Sequence, residues 1–225
     1  MIAASLEISP VLSLLSIGAS IVAYLLGSIP TGFLMARSRG IDIRAVGSGN
    51  IGATNAFRIL GKGPGTFVLL VDAAKGWSAC AGLPWLASYV GVIPTGTSPA
   101  AIEGLSILSG FMAVLGHNYT CWLGFKGGKG IATSAGVLAA LVPWALLIVL
   151  ITFLVVFGTS RYVSLGSISA AFVLPFATWW THCSTALIGI TTLMSVLAIY
   201  KHRANIQRLR AGTENRVGWK PKAAR

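Results

Sequence analysis

A glycine-rich segment, motif 1 (residues 47–58), combines small polar side chains with a single arginine. It reads Gly-Ser-Gly-Asn-Ile-Gly-Ala-Thr-Asn-Ala-Phe-Arg. Glycines let backbone N–H groups approach an anion closely, and an arginine guanidinium fits a phosphate. Its G-x-G-x-x-G is not a dinucleotide-binding fingerprint, because apolar segments of membrane length flank it where that fingerprint needs a strand. We predict anion binding, with a flexible turn as the alternative, by Gly47, Ser48, Gly49, Asn50, Gly52, Thr54, Asn55 and Arg58.

Motif 2 (residues 125–133) places two lysines around a pair of glycines, just before an apolar run. It reads Phe-Lys-Gly-Gly-Lys-Gly-Ile-Ala-Thr and follows His117. A Walker A loop is excluded, because Leu123 and Gly130 stand where that loop needs glycine and Ser or Thr. Lysines and exposed backbone amides at the start of a helix favour a bound anion, so motif 2 still predicts an anion-binding site. The residues predicted to form it are Lys126, Gly127, Gly128, Lys129 and Gly130.

Motif 3 (residues 202–214) begins His-Arg-Ala-Asn-Ile-Gln-Arg-Leu and ends Gly-Thr-Glu. It is predicted to be a helix that leaves the membrane and stops at Gly212. His202 and Asn205 are three residues apart and therefore share a helix face. The spacing alone leaves both a structural and a functional role open for His202.

Groups that act as bases or bind metals are scarce. The five acidic residues are far apart in the sequence, and the three cysteines show no metal-ligand spacing. We therefore predict no metal and no cofactor, and a cationic site that binds phosphates but abstracts protons poorly. Asp72 and Lys75 are expected to form a structural ion pair, and Glu214 to order the tail or pair with an arginine.

The composition indicates a membrane protein that must position these motifs from helices. Of 225 residues, 55% are hydrophobic and 10% charged, against roughly 25% charged in soluble domains, and the mean hydropathy is +0.79. This excludes a soluble nucleic-acid binder. We predict an all-α membrane bundle of seven transmembrane helices, with five spans and re-entrant short segments as the alternative. The predicted spans are 11–35, 66–90, 104–116, 131–142, 144–158, 162–180 and 185–200.

The basic residues test this topology. With seven spans, every lysine and arginine except Lys75 falls on one side of the membrane. The positive-inside rule makes that side cytoplasmic, so the N-terminus is predicted outside and the C-terminus in the cytoplasm. We predict a single membrane domain over residues 1–215 and a basic cytoplasmic tail over 216–225 that contacts anionic lipids.

The order and spacing of the three motifs resemble one family. Together with Gly-Ser-Ile-Pro-Thr-Gly at residues 27–32, they are similar to the bacterial integral-membrane acyl-phosphate:glycerol-3-phosphate acyltransferases, the PlsY family. The resemblance extends to Gly212. It implies transfer of a fatty acyl group from acyl phosphate to the 1-hydroxyl of glycerol 3-phosphate, giving lysophosphatidic acid in the first step of phospholipid biosynthesis. It also implies a multi-pass protein of the bacterial inner membrane with its active site facing the cytoplasm.

The resemblance also implies roles for individual residues. Ser48, the nearby glycine amides and Lys129 would hold the acyl phosphate, and Lys129 would also stabilise the oxyanion. Arg58, His202 and Asn205 would hold glycerol 3-phosphate, with Lys126 nearby. A substrate phosphate would accept the proton, with His202 as the alternative base. The implied catalytic set is Ser48, Arg58, Lys129, His202 and Asn205. Ser164 and Ser167, which resemble a serine pair of the family, are included in the implied substrate-binding set.

Two other classes of function fit the composition. A membrane channel or transporter for phosphorylated small molecules would also carry charges inside a bundle, but here the cationic motifs lie on one side only. A non-catalytic lipid-binding scaffold would not need glycine, asparagine and histidine among its basic residues. For the enzyme, the expected partners are the two substrates, membrane lipids and the enzyme that makes acyl phosphate, and we expect a monomer.

Overall fold

The computed structural model describes residues 10–218, and this part of the chain is helical with no strand, which confirms the all-α prediction. Residues 219–225 of the predicted tail lie outside the described residues. The α-helices are α1 (Pro10–Ser28), α2 (Thr31–Arg37), α3 (Ala53–Leu60), α4 (Lys62–Trp77), α5 (Leu83–Tyr89), α6 (Pro99–Asn118), α7 (Ile131–Leu141), α8 (Pro143–Ser160), α9 (Val163–Trp180), α10 (Thr185–Lys201) and α11 (Arg203–Arg210).

The helices identify a multi-pass membrane protein. Five segments of residues 10–218 are long and apolar enough to cross a membrane, and α10 with α11, bent by 54°, adds a sixth if the two helices form one span. The apolar helix α7, with 11 residues, is too short for that criterion. The break predicted at Pro143 is present, because α7 ends at Leu141 and α8 begins with Pro143 at its first turn. The count of seven spans remains a prediction.

Glycines allow the helices to approach closely. A Cβ on Gly27 of α1 would lie 2.1 Å from the Ala113 carbonyl oxygen of α6. A Cβ on Gly136 of α7 would lie 1.9 Å from the Ala73 carbonyl oxygen of α4. Small residues at helix contacts are typical of membrane proteins, where packing rather than the hydrophobic effect holds helices together.

A buried ion pair fixes the break between α1 and α2. The Lys75 ammonium lies 2.8 Å from the Asp72 carboxylate, and the two side chains are 4% and 2% exposed. Lys75 also donates hydrogen bonds to the carbonyl oxygens of Gly27 (3.2 Å), in the last turn of α1, and of Ile29 (2.7 Å), just after it. The predicted structural ion pair is therefore confirmed.

Candidate active site

A polar cavity of about 160 Å³ lies where the three motifs meet. Motif 1 and α3 form one wall, Lys129 of motif 2 with the start of α7 a second, and motif 3 with the start of α9 a third; residues of α4, α6 and α8 complete the lining. Residues distant in sequence thus lie on one cavity, as the anion-binding hypothesis requires. The predicted residues that line it are Ser48, Asn50, Gly52, Thr54, Asn55, Arg58, Lys129, Ser164, Ser167, His202 and Asn205.

Asn55 shapes the loop of motif 1. Its side-chain oxygen accepts a hydrogen bond from the Ser48 amide (3.0 Å), and its amide group donates to the carbonyl oxygens of Ile43 (3.2 Å) and Val46 (3.1 Å). Gly47 has φ +62°, and a Cβ there would lie 2.3 Å from the Asn55 side-chain oxygen. Buried Asn55 therefore supports the loop, which leaves the exposed Ser48 hydroxyl beside the cavity.

Helix α3 presents its N-terminus and its arginine to the cavity. Its N-cap is Gly52, so no side chain accepts hydrogen bonds from the first amides of this eight-residue helix. Amides at a helix N-terminus favour an anion. Arg58 in the last turn is exposed and has no hydrogen-bond or ion-pair partner among residues 10–218. Its guanidinium is therefore free to bind a substrate.

Lys129 is a half-buried cation in the centre of the site. Its ammonium group donates a hydrogen bond to the side-chain oxygen of Asn205. Burial lowers the pKa of Lys129 to about 8; Arg208 and Arg58 act in the same direction, and Glu214 opposes them. Lys129 thus stays protonated at neutral pH with few protein groups to neutralise it.

His202 and Asn205 lie at the bend between α10 and α11. His202 is 3% exposed, and its Nδ1 lies 2.8 Å from the Ala198 carbonyl oxygen. Because a carbonyl oxygen only accepts, Nδ1 carries the proton and Nε2 remains as the nitrogen available to a substrate. Asn205 donates a hydrogen bond of 2.7 Å to Glu214.

Glu214 lines the polar cavity and connects α9, α11 and the segment after α11. Its carboxylate accepts hydrogen bonds from Ser164 of α9 (2.9 Å) and Asn205 of α11, and it forms a 2.7 Å ion pair with Arg208. Burial by itself would raise the pKa of Glu214, but the bonds from Asn205, Arg208 and Ser164 outweigh it and hold the pKa below its usual value. The prediction that Glu214 pairs with an arginine is confirmed.

Several predicted binding residues do not line the cavity. The amides of Gly127 and Gly128 already donate to the carbonyl oxygens of Asn118 (3.2 Å) and His117 (2.9 Å). Motif 2 therefore contributes Lys129 and the start of α7 to the cavity rather than a ring of free amides. The residues that remain outside the lining are Gly47, Gly49, Lys126, Gly127, Gly128 and Gly130, of which Gly47, Gly49 and Lys126 are exposed.

Sequence reasoning missed four polar residues of the lining, which are Asp72, His117, Glu214 and Asn215. Asp72 was predicted only as the partner of Lys75, and His117 only as the residue preceding motif 2. The sequence signal available was the position of Asp72 inside the predicted span 66–90 and of His117 directly after the predicted span 104–116, since ionisable residues at membrane depth mark functional sites in membrane proteins. Among residues 10–218, no group of three or more His, Cys, Asp or Glu side chains lies close enough to hold a metal ion.

A second, larger cavity of about 930 Å³ adjoins the polar one and shares Thr54, Arg58 and Ser167 with it. It extends between α3, α7, α8, α9 and α10. Its walls are mainly apolar, so it suits a hydrocarbon chain rather than a charged group. The residues of α7 to α10 that line its deeper part are Leu138, Leu146, Val149, Leu150, Ala170, Ala171, Leu174 and Met194.

Comparison with known proteins accounts for this arrangement. The glycerol-3-phosphate acyltransferase family model matches residues 17–212. The chain belongs to the glycerol-3-phosphate acyltransferase family. The resemblance found in the three motifs is thereby confirmed.

Relatives match over nearly their whole length. The glycerol-3-phosphate acyltransferase of Thermosynechococcus vestitus is 45% identical over 201 residues, covering 88% of this chain and 93% of that protein. The glycerol-3-phosphate acyltransferase of Geobacter metallireducens is 50% identical over 195 residues, covering 86% of this chain and 93% of that protein. A crystal structure of PlsY, an integral membrane glycerol 3-phosphate acyltransferase in its glycerol 3-phosphate form, matches with a TM-score of 0.79 and 37% identity over 90% of this chain and 96% of PlsY.

Proposed function

We propose that this glycerol-3-phosphate acyltransferase moves a fatty acyl group from acyl phosphate to the 1-hydroxyl of glycerol 3-phosphate. The products are lysophosphatidic acid and inorganic phosphate. The convergence of three cationic or amide-rich motifs on one polar cavity, beside an apolar cavity, carries the proposal. Two phosphates and one hydrocarbon chain are the groups that such a pair of cavities accommodates.

The reaction needs little help from protein bases. The 1-hydroxyl oxygen attacks the carbonyl carbon of acyl phosphate, the bond from that carbon to the phosphate oxygen breaks, and phosphate leaves. The hydroxyl proton passes to a phosphate oxygen of the substrates, whose second pKa is about 6. Because acid–base groups contribute typically about 10²–10⁴-fold, positioning and electrostatic stabilisation supply most of the acceleration.

We assign the charged residues according to this step. Ser48, the N-terminus of α3 and Lys129 hold the acyl phosphate, and Lys129 stabilises the negative charge that develops on the carbonyl oxygen. Arg58, His202 and Asn205 hold glycerol 3-phosphate. The unpartnered guanidinium of Arg58 and the available Nε2 of His202 support this assignment.

His202 is the alternative base. Retention of nearly full turnover by His202→Ala at saturating substrate would exclude that role, because a base is required in every turnover. A raised KM for glycerol 3-phosphate with unchanged turnover is the result expected from a binding role.

The apolar cavity is proposed to hold the acyl chain. From Val163, beside the polar cavity, to Leu174 at the deep end, α9 rises about 16 Å. An extended hydrocarbon rises about 1.3 Å per carbon, so this length accommodates about a dozen carbons. The carbonyl end of such a chain would lie between Thr54, Arg58 and Ser167, which line both cavities.

Product analysis tests the proposed reaction. Purified protein in detergent receives labelled glycerol 3-phosphate with either palmitoyl phosphate or palmitoyl-CoA. We expect labelled lysophosphatidic acid from the phosphate alone. Product from the thioester but not from the phosphate would overturn the donor assignment, and flux of labelled glycerol 3-phosphate into proteoliposomes without product would favour the transporter.

We also propose seven spans in the bacterial inner membrane, with the N-terminus outside and the C-terminus and active site in the cytoplasm. The basic residues of motifs 1 to 3 and the fact that these motifs share one cavity support this orientation. Fusion of a reporter that is fluorescent only in the cytoplasm, placed after Arg225, should give a signal. Activity of a fused periplasmic alkaline phosphatase at the same position would reverse the orientation.

A further inference from the structure

We propose that His117 is a positioning residue for the acyl transfer: its ring and backbone hold the Gly127-Gly128 turn so that Lys129 points into the polar cavity. This inference rests on the proposed function, because it assigns Lys129 to the reaction. It also gives the glycine pair a role other than direct phosphate binding.

The turn fits closely onto His117. The Gly128 amide donates a 2.9 Å hydrogen bond to the His117 carbonyl oxygen, and the Gly127 amide donates to the next carbonyl, that of Asn118. A Cβ on Gly128 would lie 2.0 Å from Nε2 of the His117 ring, and one on Gly127 would lie 2.1 Å from the His117 carbonyl oxygen. No other residue type fits at either position without displacement of His117 or of the turn.

The opposite side of His117 faces the buried ion pair. Its Nδ1 lies 3.8 Å from the Asp72 carboxylate, and the His117 side chain is 6% exposed. The same carboxylate oxygen is bound by Lys75 (2.8 Å) and by the Thr31 hydroxyl (3.1 Å). The buried imidazole thus lies between a carboxylate that two other side chains bind and the backbone of the turn.

The residues after His117 are fixed as well. Lys201 of α10 donates a 2.8 Å hydrogen bond to the Asn118 carbonyl oxygen and lies 4.4 Å from the centre of the Tyr119 ring. The Tyr24 hydroxyl donates to the Tyr119 carbonyl oxygen at 2.6 Å. Contacts from α1 and α10 therefore hold the end of α6 in place. The position of Lys129 relative to the cavity depends on how the Gly127-Gly128 turn packs against this end of α6.

Displacement of the turn would change the surroundings of Lys129. Burial is the main reason that the pKa of Lys129 lies near 8, so a Lys129 that moves toward solvent regains a higher pKa. If the protonated ammonium is required, the basic limb of the pH–activity profile then moves to higher pH. The charged and titratable groups around Lys129 are Glu214, Arg208, Arg58, Lys201 and His202.

Gly128→Ala, His117→Ala and the double variant test this positioning role. Gly128→Ala should lower kcat by about 10²-fold, because a shift of about 1 Å at a reacting group has that effect. His117→Ala should lower kcat less and move the basic limb upward. In the double variant the smaller side chain at 117 makes room for the new Cβ, so its activity should exceed that of Gly128→Ala by about tenfold or more. Because His117→Ala also lowers kcat by itself, this gain corresponds to a coupling of more than about 1.4 kcal/mol.

Controls separate positioning from loss of folded protein. Gly104→Ala lies in the same helix as His117 with nothing within 4 Å of the added Cβ, and His182→Ala removes an exposed histidine. Both should keep wild-type kcat and pH profile. His117→Gln provides a second variant if His117→Ala yields too little protein, and melting temperatures in detergent are measured for all.

Two results would overturn the proposal. One is a set of His117 variants whose activity falls equally at every pH, which a purely structural role predicts. The other is an additive double variant, in which the two losses multiply. All measurements use the acyl donor that the wild-type protein accepts. If acyl phosphate is not the donor, the comparison of palmitoyl phosphate with palmitoyl-CoA on the wild-type protein will show it. The comparison of the His117 and Gly128 variants remains valid in that case, because it uses whichever donor the wild-type protein accepts.

Discussion

Lys129 and Asn205 are 76 residues apart in the chain, yet the Lys129 ammonium donates a hydrogen bond to the Asn205 side-chain oxygen. Asn205 donates in turn to Glu214, which is also bound to Ser164 and Arg208. The cation that faces the polar cavity is therefore held by a connected set of side chains from α9, α11 and the segment after α11. One Lys129 proton binds Asn205, and the other two remain for substrate oxygens.

The charge on Lys129 predicts how activity depends on pH. Because its pKa lies at about 8, the ammonium loses its proton as the pH rises through that value, and the proposed stabilisation of the oxyanion is lost with it. We expect kcat to fall above about pH 8. Lys129→Ala should lower kcat by about 10²–10³-fold at pH 7, as removal of an oxyanion donor does elsewhere. Steady-state rates between pH 6 and 10 check both statements.

Lys129→Arg serves as the control for charge. An arginine stays protonated throughout this range, so whatever activity this variant retains should show no basic limb near pH 8. If the limb persists there in Lys129→Arg, another group causes it and Lys129 is not the titrating residue.

Glu214→Gln should lower stability in a way that depends on pH. The pKa of Glu214 is depressed in the folded protein, so its stabilising effect is present above the pKa of an unfolded glutamate, about 4.3, and is lost as the pH falls through the folded value. We expect the variant to melt about 5 °C lower at pH 7 and the difference to shrink toward pH 4. Glu103→Gln is the matched control, because Glu103 accepts a hydrogen bond from the neutral Ser184 hydroxyl, which a glutamine oxygen can also accept. A difference that stays constant with pH would show that the carboxylate charge does not contribute.

Sequence patterns predicted the elements of the site better than their boundaries. Short stretches of sequence were enough to predict the three motifs, the break at Pro143 and the Asp72–Lys75 pair, because each depends on residues close together in the chain. The third predicted span, 104–116, is too short, because α6 begins five residues earlier and ends two residues later. Pro99 is the first residue of α6, and the Ser98 hydroxyl accepts a hydrogen bond from the Ala101 amide as its N-cap.

The contacts that organise the site could not be predicted in the same way. Glycines next to lysines indicate a phosphate-binding loop, but Gly128 faces the ring of His117, and only the packing of α6 against the turn reveals this. The carboxylate of Glu214 likewise meets Ser164, 50 residues away, only after folding. Spacing along one helix identifies a shared face, whereas contacts between helices depend on how the whole bundle packs.

Arg58→Ala should weaken substrate binding without affecting stability. The Arg58 guanidinium has no partner among residues 10–218, so its removal leaves no buried group unpaired. We expect KM for glycerol 3-phosphate to rise by about 10–100-fold, the loss of one charge-assisted contact worth about 1.5–3 kcal/mol, and the melting temperature to stay within about 1–2 °C of wild type.

Lys62→Ala is the matched control for Arg58. It removes an exposed positive charge a few residues away that lines neither cavity, so KM should not change. An equal rise of KM in both variants would indicate general attraction of anions to this surface rather than a contact made by Arg58.

The apolar cavity predicts which acyl chains are accepted. Ala171 of α9 is 8% exposed and lines this cavity, so Ala171→Phe would fill part of the space proposed for the chain. We expect the ratio of kcat/KM for palmitoyl phosphate to that for decanoyl phosphate to fall by about tenfold, with KM for glycerol 3-phosphate unchanged. Ser169→Phe makes a comparable enlargement on the same helix outside both cavities and should leave the ratio unchanged. Because the ratio compares two donors on the same enzyme, partial loss of folded protein does not affect it. An unchanged ratio in Ala171→Phe would show that the chain lies elsewhere.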